Sequence, residues 1–329
     1  MRIFTTLPQE DLRKVGPAAK AIEAAGYTGV STQENKHEPF LSLAVAGAAT
    51  ERLELHTGVA IAFARSPMAV ANIGSQVRAH NERRFSVPWS PPAPRIREYV
   101  QAVRAIWNAW KSGGKLAYEG KHYTFTLMTP NFVPEPYEGS LPRLGVAAVG
   151  PAMLKVAAEE SDDVKLHAFC TRKYLTESIM PILDAGLAAR GRTRESFEIS
   201  GGGFVVTGKD DAAVAELFDW VRYRVAFYGS TPAYWPVFEA HGLGDLGRKL
   251  NAMTRAGQWN EMAREVSDDV VHLFAAVGRH DQLEKAISQR FGGLVDSISA
   301  SANSAKPSDL PPDLVQDLGR IPTRYQHPA

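Results

Sequence analysis

Polar residues gather where an apolar run ends. Gln33, Glu34, Asn35, Lys36, His37 and Glu38 directly follow the strand-like stretch 28–32. Histidine is the side chain suited to general acid or base work near neutral pH, and His37 is the candidate here, with Glu34 placed to tune or position it. The same run also reads as a solvated loop capping a helix that opens at Pro39, with Glu38 at its positive end. Between Gly74 and Arg84 stand Ser75, Gln76, Arg78, His80, Asn81 and Arg83. These donors suit the polar edge of an isoalloxazine-like ring or a phosphate, or else form an exposed charged helix turn. Gly58 interrupts the apolar run 53–61. A glycine inside a strand marks a bulge or a close backbone approach, with or without a ligand. Gly150, Pro151, Ala152 and Met153 read as a glycine turn opening a helix. Amides at such a start bind phosphate and glycine lets the backbone approach it, although every βα turn has this look. His167 lies inside an apolar strand, where it is either a ligand contact or a satisfied core residue.

Other chemistries lack their signatures. There is no HExxH, CxxC or EF-hand loop, so no metal site is expected, and no GxSxG nucleophile elbow. Hydrogen-bond donors and histidines without a strong nucleophile fit an enzyme whose cofactor does the difficult chemistry on a small-molecule substrate. The composition is that of a globular chain, 44% hydrophobic and 22% charged, with net charge +1. No basic stripe points to nucleic acid. Cys170 is the only cysteine, which fits a reducing cytoplasm. The N-terminus reads as a strand rather than a signal peptide, and the longest apolar stretch, 41–49, is too short for a bilayer.

The elements that must position these residues alternate. Strands are expected at 2–6, 28–32, 53–61, 144–149, 164–169, 197–206 and 294–300, and helices at 11–25, 39–50, 96–111, 151–160, 173–190, 212–227 and 282–290. Residues 116–125 form a small β excursion, and 231–265 an inserted helical region. Alternation predicts a parallel sheet covered by helices, closed as a (β/α)8 TIM barrel over residues 1–300, followed by a loosely packed tail at 301–329. No GxGxxG follows the first strand, against a Rossmann fold. Only residues 68–74 separate Pro67 from Ser75, fewer than the ~10–12 a crossover needs. The expectation is therefore seven core strands, the fourth being absent.

Read together, several segments resemble the luciferase-like flavin and deazaflavin oxidoreductases. They are residues 34–40, Thr57-Gly58-Val59 with Ala64-Arg65-Ser66-Pro67, residues 74–84 and residues 145–153. Pro88-Trp89-Ser90-Pro91-Pro92 with Arg97-Glu98-Tyr99 and Tyr118-Glu119-Gly120-Lys121-His122-Tyr123 continue the likeness. Residues 227–234 are similar to the branch that uses coenzyme F420. The resemblance implies a homodimer whose cofactor ring touches Glu34, His37, Gly58, Val59, Ser75 and Gln76. It places the phosphate near Gly150, Pro151, Ala152 and Met153. It also implies a non-prolyl cis peptide at Gly58–Val59, with Glu34 and His37 protonating the substrate. F420-dependent hydride transfer is the first reading, an FMN-dependent monooxygenase the second. A non-catalytic ligand-binding barrel is the reading from another class. Family members have a longer helix and a fourth strand where this chain has residues 68–74.

Overall fold

The computed structural model describes residues 1–34, 37–62, 65–66, 90–129, 141–301 and 308–326. The connection 68–74, the junction Ile73–Gly74 and the candidates Ser75 and Gln76 lie outside them. Short apolar runs form strands β1 (Arg2–Thr5), β2 (Gly29–Thr32) and β3 (Glu54–Thr57). β4 (Tyr118–Glu119) and β5 (Thr124–Phe125) pair antiparallel as the expected excursion. β6 (Gly145–Ala148), β7 (Asp163–Leu166), β8 (Glu198–Gly201), β9 (Phe204–Val206), β10 (Ala275–Val277) and β11 (Ser297–Ser299) follow.

Seven strands make one parallel sheet in the order β3-β2-β1-β11-β8-β7-β6. Sequence neighbours lie side by side, and the last strand inserts between β1 and β8. Among the described residues that is the circular order of a (β/α)8 barrel with its fourth position unfilled. Among the described residues β3 and β6 are the sheet's two ends, which is where a fourth barrel strand would stand.

Local chemistry sets the helices. Asp11 caps α1 (Leu12–Ala24) by accepting from Arg13 N, and Val15, Ala19 and Ile22 bury one face. Glu38 caps α2 (Pro39–Ala49), accepting from the amides of Phe40 and Leu41. α3 (Pro92–Ser112) buries Ile96, Tyr99, Val100, Val103, Ile106 and Trp107, and stops at Gly113 in the left-handed region. α4 (Pro151–Glu160) follows β6, and α5 (Met180–Ala188) completes the helical segment after β7. α6 (Asp211–Gly229), α7 (Gly244–Arg255) and α8 (Asp268–Phe274) build the inserted region, and α9 (Leu283–Phe291) precedes β11. Among the described residues no helix is long and apolar enough to cross a membrane.

Two expectations need correction. The run 197–206 is not one strand. Gly201 and Gly202 take φ of 85° and 84°, turning β9 away to pair with β10, which the sequence did not signal. Residues 308–326 are not loosely packed either. α10 (Pro312–Gly319) buries Val315 and Leu318, Ile321 is also buried, and the Met1 ammonium donates to the carbonyls of Gly319 and Ile321.

Charges, not aliphatic side chains, close the N-terminal end of the sheet. Arg2 pairs with Glu54 and Glu198, and Arg143 with Glu198 at 2.6 Å and Asp163 at 3.7 Å. Burial raises the Glu198 carboxyl, but Arg2 and Arg143 outweigh it and hold the group below its ordinary range. Burial lifts Asp163 to about 6 against the pull of Arg143.

Candidate functional site

In parallel barrels the chemistry sits at the C-terminal strand ends. The loops there are pinned by their own polar groups. Thr6 Oγ1 donates to Ser31 O at 3.1 Å, and the Gln9 amide bonds both the N–H and the carbonyl of Gln33. Glu34 N donates to Val59 O at 3.0 Å, tying the loop after β2 to the end of β3.

Glu34 itself is engaged. Its side chain is buried, and its Oε2 accepts from Ile61 N at 2.7 Å and from Arg65 Nη1 at 2.5 Å. Arg65 also reaches Glu38, the cap of α2, at 3.3 Å. A carboxylate holding a guanidinium and an amide is a clamp between two loops. His37 stands exposed three residues further on.

Gly58 sits against the interior. A Cβ there would meet Ser31 Oγ at 1.9 Å and Lys165 Nζ at 2.7 Å, so only glycine allows this approach. The Gly58–Val59 peptide is cis, as the resemblance implied. Val59 is partly buried beside it. Lys165 projects from β7 across the barrel and donates to Ser31 Oγ at 3.1 Å. Burial draws its ammonium below the ordinary lysine range, opposed by Asp163 and Glu198.

His167 lies one turn of the pleat above Lys165. Its ring meets Tyr228 edge-on at 4.4 Å and Tyr234 at 4.8 Å, and its Nδ1 accepts from Phe169 N at 3.0 Å. Burial, then the nearby Arg224, pushes it down to about 4. At neutral pH the ring is uncharged, with Nδ1 the acceptor. His167 also lines a small cavity with Ala148, Val149 and Ala233 at the ends of β6 and β7.

Gly150 caps α4 without a side chain, and a Cβ there would meet nothing within 4 Å. The glycine thus fronts open space. Its carbonyl accepts from Met153 N and Leu154 N. Pro151 brings no N–H, and the Ala152 amide has no intrahelical acceptor. Pro151 and Ala152 are exposed, whereas the Met153 side chain packs in the core. Of this group, only backbone and small side chains front the open space.

Of the candidates, Glu34, Gly58 and Val59 come together through the loops after β2 and β3, while Gly150 to Met153 and His167 belong to the ends of β6 and β7. Two members of the site went unrecognised in the sequence, Lys165 and Arg65. A lysine within the apolar run 164–169 was the available signal for the first.

The profile of the luciferase-like monooxygenases matches residues 2–297. An uncharacterised protein of Mycobacterium tuberculosis is 43% identical over 314 residues, covering 91% of this chain and 92% of that protein. The alignment spans 314 positions but takes up about 299 of the 329 residues, so about 15 positions of the relative have no counterpart here. A 5,10-methylenetetrahydromethanopterin reductase of Archaeoglobus fulgidus is 27% identical over 295 residues, covering 82% of this chain and 83% of that enzyme. In fold, the chain is similar to the coenzyme F420 dependent tetrahydromethanopterin reductase of Methanopyrus kandleri. The TM-score is 0.74 at 19% identity, over 97% of both chains.

Proposed function

The chain belongs to the luciferase-like monooxygenase family, and we propose that it is an oxidoreductase exchanging a hydride between coenzyme F420 and a small organic substrate. The observation that carries this reading is geometric. One end of the sheet combines an unblocked helix start at Gly150 with a glycine strand end at Gly58 too tight for any other side chain. The likeness to two tetrahydromethanopterin reductases, one of them coenzyme F420 dependent, supports F420 over FMN.

In this reading Gly150 and the Ala152 amide hold the cofactor phosphate at the positive end of α4. The Gly58–Val59 backbone backs the ring. A bound deazaflavin supplies two-electron hydride chemistry. The chain's own part is placement and proton supply. Lys165 fixes Ser31 beneath the Gly58 backbone through its 3.1 Å bond. The Glu34–Arg65 clamp sets the loop that carries His37, and His37, exposed at the rim, hands the proton to the substrate. Glu34 then acts as a positioning residue. The neutral His167 offers an uncharged wall beside Tyr228 and Tyr234.

Gly150→Asp tests the phosphate assignment. The position has room for a side chain, φ of −90° suits any residue, and Asp is a good cap. The variant should fold at least as stably as wild type yet bind F420 about tenfold or more weakly, because a carboxylate replaces the open anion site. Gly150→Asn, a cap without charge, should lose less. Unchanged F420 affinity in Gly150→Asp would remove the cofactor phosphate from this helix.

A further inference from the structure

A second cavity, of about 660 Å³, lies between the helical segment that starts at Thr171, strand β10 and helix α9. Arg172, Lys173, Arg290, His241 and His272 line it. Among the described residues the lining holds one acid, Glu177, against three permanent cations.

Arg290 sets this groove apart from a solvated basic surface. It stands in the last turn of α9 but is only 7% exposed. Its Nη2 donates to Cys170 O at 2.6 Å and Gly202 O at 2.9 Å, clasping the loops that follow β7 and β8. Nε and Nη1 are buried and find no hydrogen-bond partner among the described residues. Among the described residues no carboxylate pairs with it. The ionisable groups acting on it are Cys170 and Arg172, and burial lifts the Cys170 thiol to about 11, so it stays neutral. Burial lowers Arg290 itself only to about 10, which leaves it charged at neutral pH. A buried guanidinium with two idle donors and no counter-charge is costly unless an anion completes it. Arg172 cannot relieve it, because its own guanidinium bonds Arg290 O and Gly292 O at 3.2 Å and adds like charge.

We propose that this groove is a binding site for a small carboxylate- or phosphate-bearing molecule, whose anionic group pairs with Arg290 and is drawn in by Arg172 and Lys173. Arg290 lines the groove and carries two unsatisfied donors, and a guanidinium fork suits oxyanions. His241 stands at the groove, held by its Nε2 contact to Thr171 Oγ1 at 2.8 Å. The site is separate from the helix start at Gly150 assigned above to the cofactor, and it stands whether or not F420 binds.

The test is a titration of the full chain, without cofactor, with inorganic phosphate and in a second arm with succinate. Ionic strength is held constant with chloride, and binding is read by calorimetry and by chemical shifts. Saturable binding of either anion, at about millimolar affinity or tighter, is expected; the preferred arm names the anion class. Lys173→Glu, at an exposed position, should weaken it about tenfold, and Arg290→Gln should abolish it. Arg290 also clasps two loops, so Lys173→Glu and the equally exposed His272→Glu carry the test if Arg290→Gln does not fold. Absence of saturable binding in both arms overturns the proposal. So does binding that Gly150→Asp abolishes and Lys173→Glu leaves unchanged, which would assign the anion to α4.

Discussion

Lowering the pH should unfasten His167, and the size of the effect follows from its surroundings. The ring is wedged between Tyr228 and Tyr234, and its Nδ1 must stay unprotonated to accept from Phe169 N. Folding depresses its pKa from 6.5 to about 4. The unfolded chain therefore takes up a proton that the folded chain refuses until about two and a half units lower. Stability from this group is complete above pH 6.5 and is lost as pH falls towards 4. The slope is about 1.4 kcal/mol per unit, and the total at most about 3 kcal/mol. Asp163 works in the opposite sense. Its pKa is raised from 3.8 to about 6, so its contribution is complete below 3.8 and is lost as pH rises through 6. The two nearly cancel in the wild type, which makes the difference from a variant the quantity to measure. His167→Asn keeps an acceptor near Nδ1 and removes the titration. Urea unfolding followed by tryptophan fluorescence, at pH 7 and pH 4 and constant ionic strength, should show the variant losing about 3 kcal/mol less than wild type. Parallel pH profiles would mean that the ring is solvated and does not report a buried wall at the strand ends.

Three other outcomes follow from the same contacts. Gly58→Ala should cost about 1–3 kcal/mol by overpacking, since its Cβ would lie 1.9 Å from Ser31 Oγ. Adding Ser31→Gly should recover part of the loss in urea midpoints, and a wild-type midpoint for Gly58→Ala alone would contradict the packing. Arg65→Met should destabilise by about 3–5 kcal/mol, because it strands the buried Glu34 carboxylate. Glu34→Gln, which still accepts from Ile61 N, should cost less, and the reverse order would undo the clamp. The exposed Leu41 (56%) on α2 and Leu55 (37%) on β3 suit an interface between copies. Light scattering should find a dimer at micromolar concentration, and a stable monomer would rule it out.

The alternation of apolar runs and helix signals carried the architecture, because each βα unit announces itself locally. α4 begins and ends at 151 and 160 as expected, set by Pro151 at its first position. Among the described residues the parallel sheet has seven strands; the short connection 68–74, from which an absent fourth strand was expected, lies outside them. Long-range features were not legible. β10 is three residues long and follows α8 without a turn residue, so nothing local marks it as a strand. The polar composition of the last thirty residues hid Val315, Leu318 and Ile321, which bury only when α10 docks. Arg290 reads as a solvated residue in a final helix turn until the fold brings Cys170 and Gly202 against it. At the site, glycines spoke most clearly, since Gly58 and Gly150 differ from their neighbours in what the backbone permits. Side chains that work through partners, such as Glu34 with Arg65, showed their role only once the loops met.

Equilibrium titration of the purified chain with F420 and, separately, with FMN, followed by fluorescence quenching, bears most directly on the central claim. A barrel that keeps Gly58 and Gly150 at the strand ends should bind F420 saturably at micromolar concentrations or tighter, about tenfold or more ahead of FMN. Preference for FMN would make the protein a flavin enzyme on the same fold. Binding of neither would contradict the account and leave a family member that does not hold the cofactor.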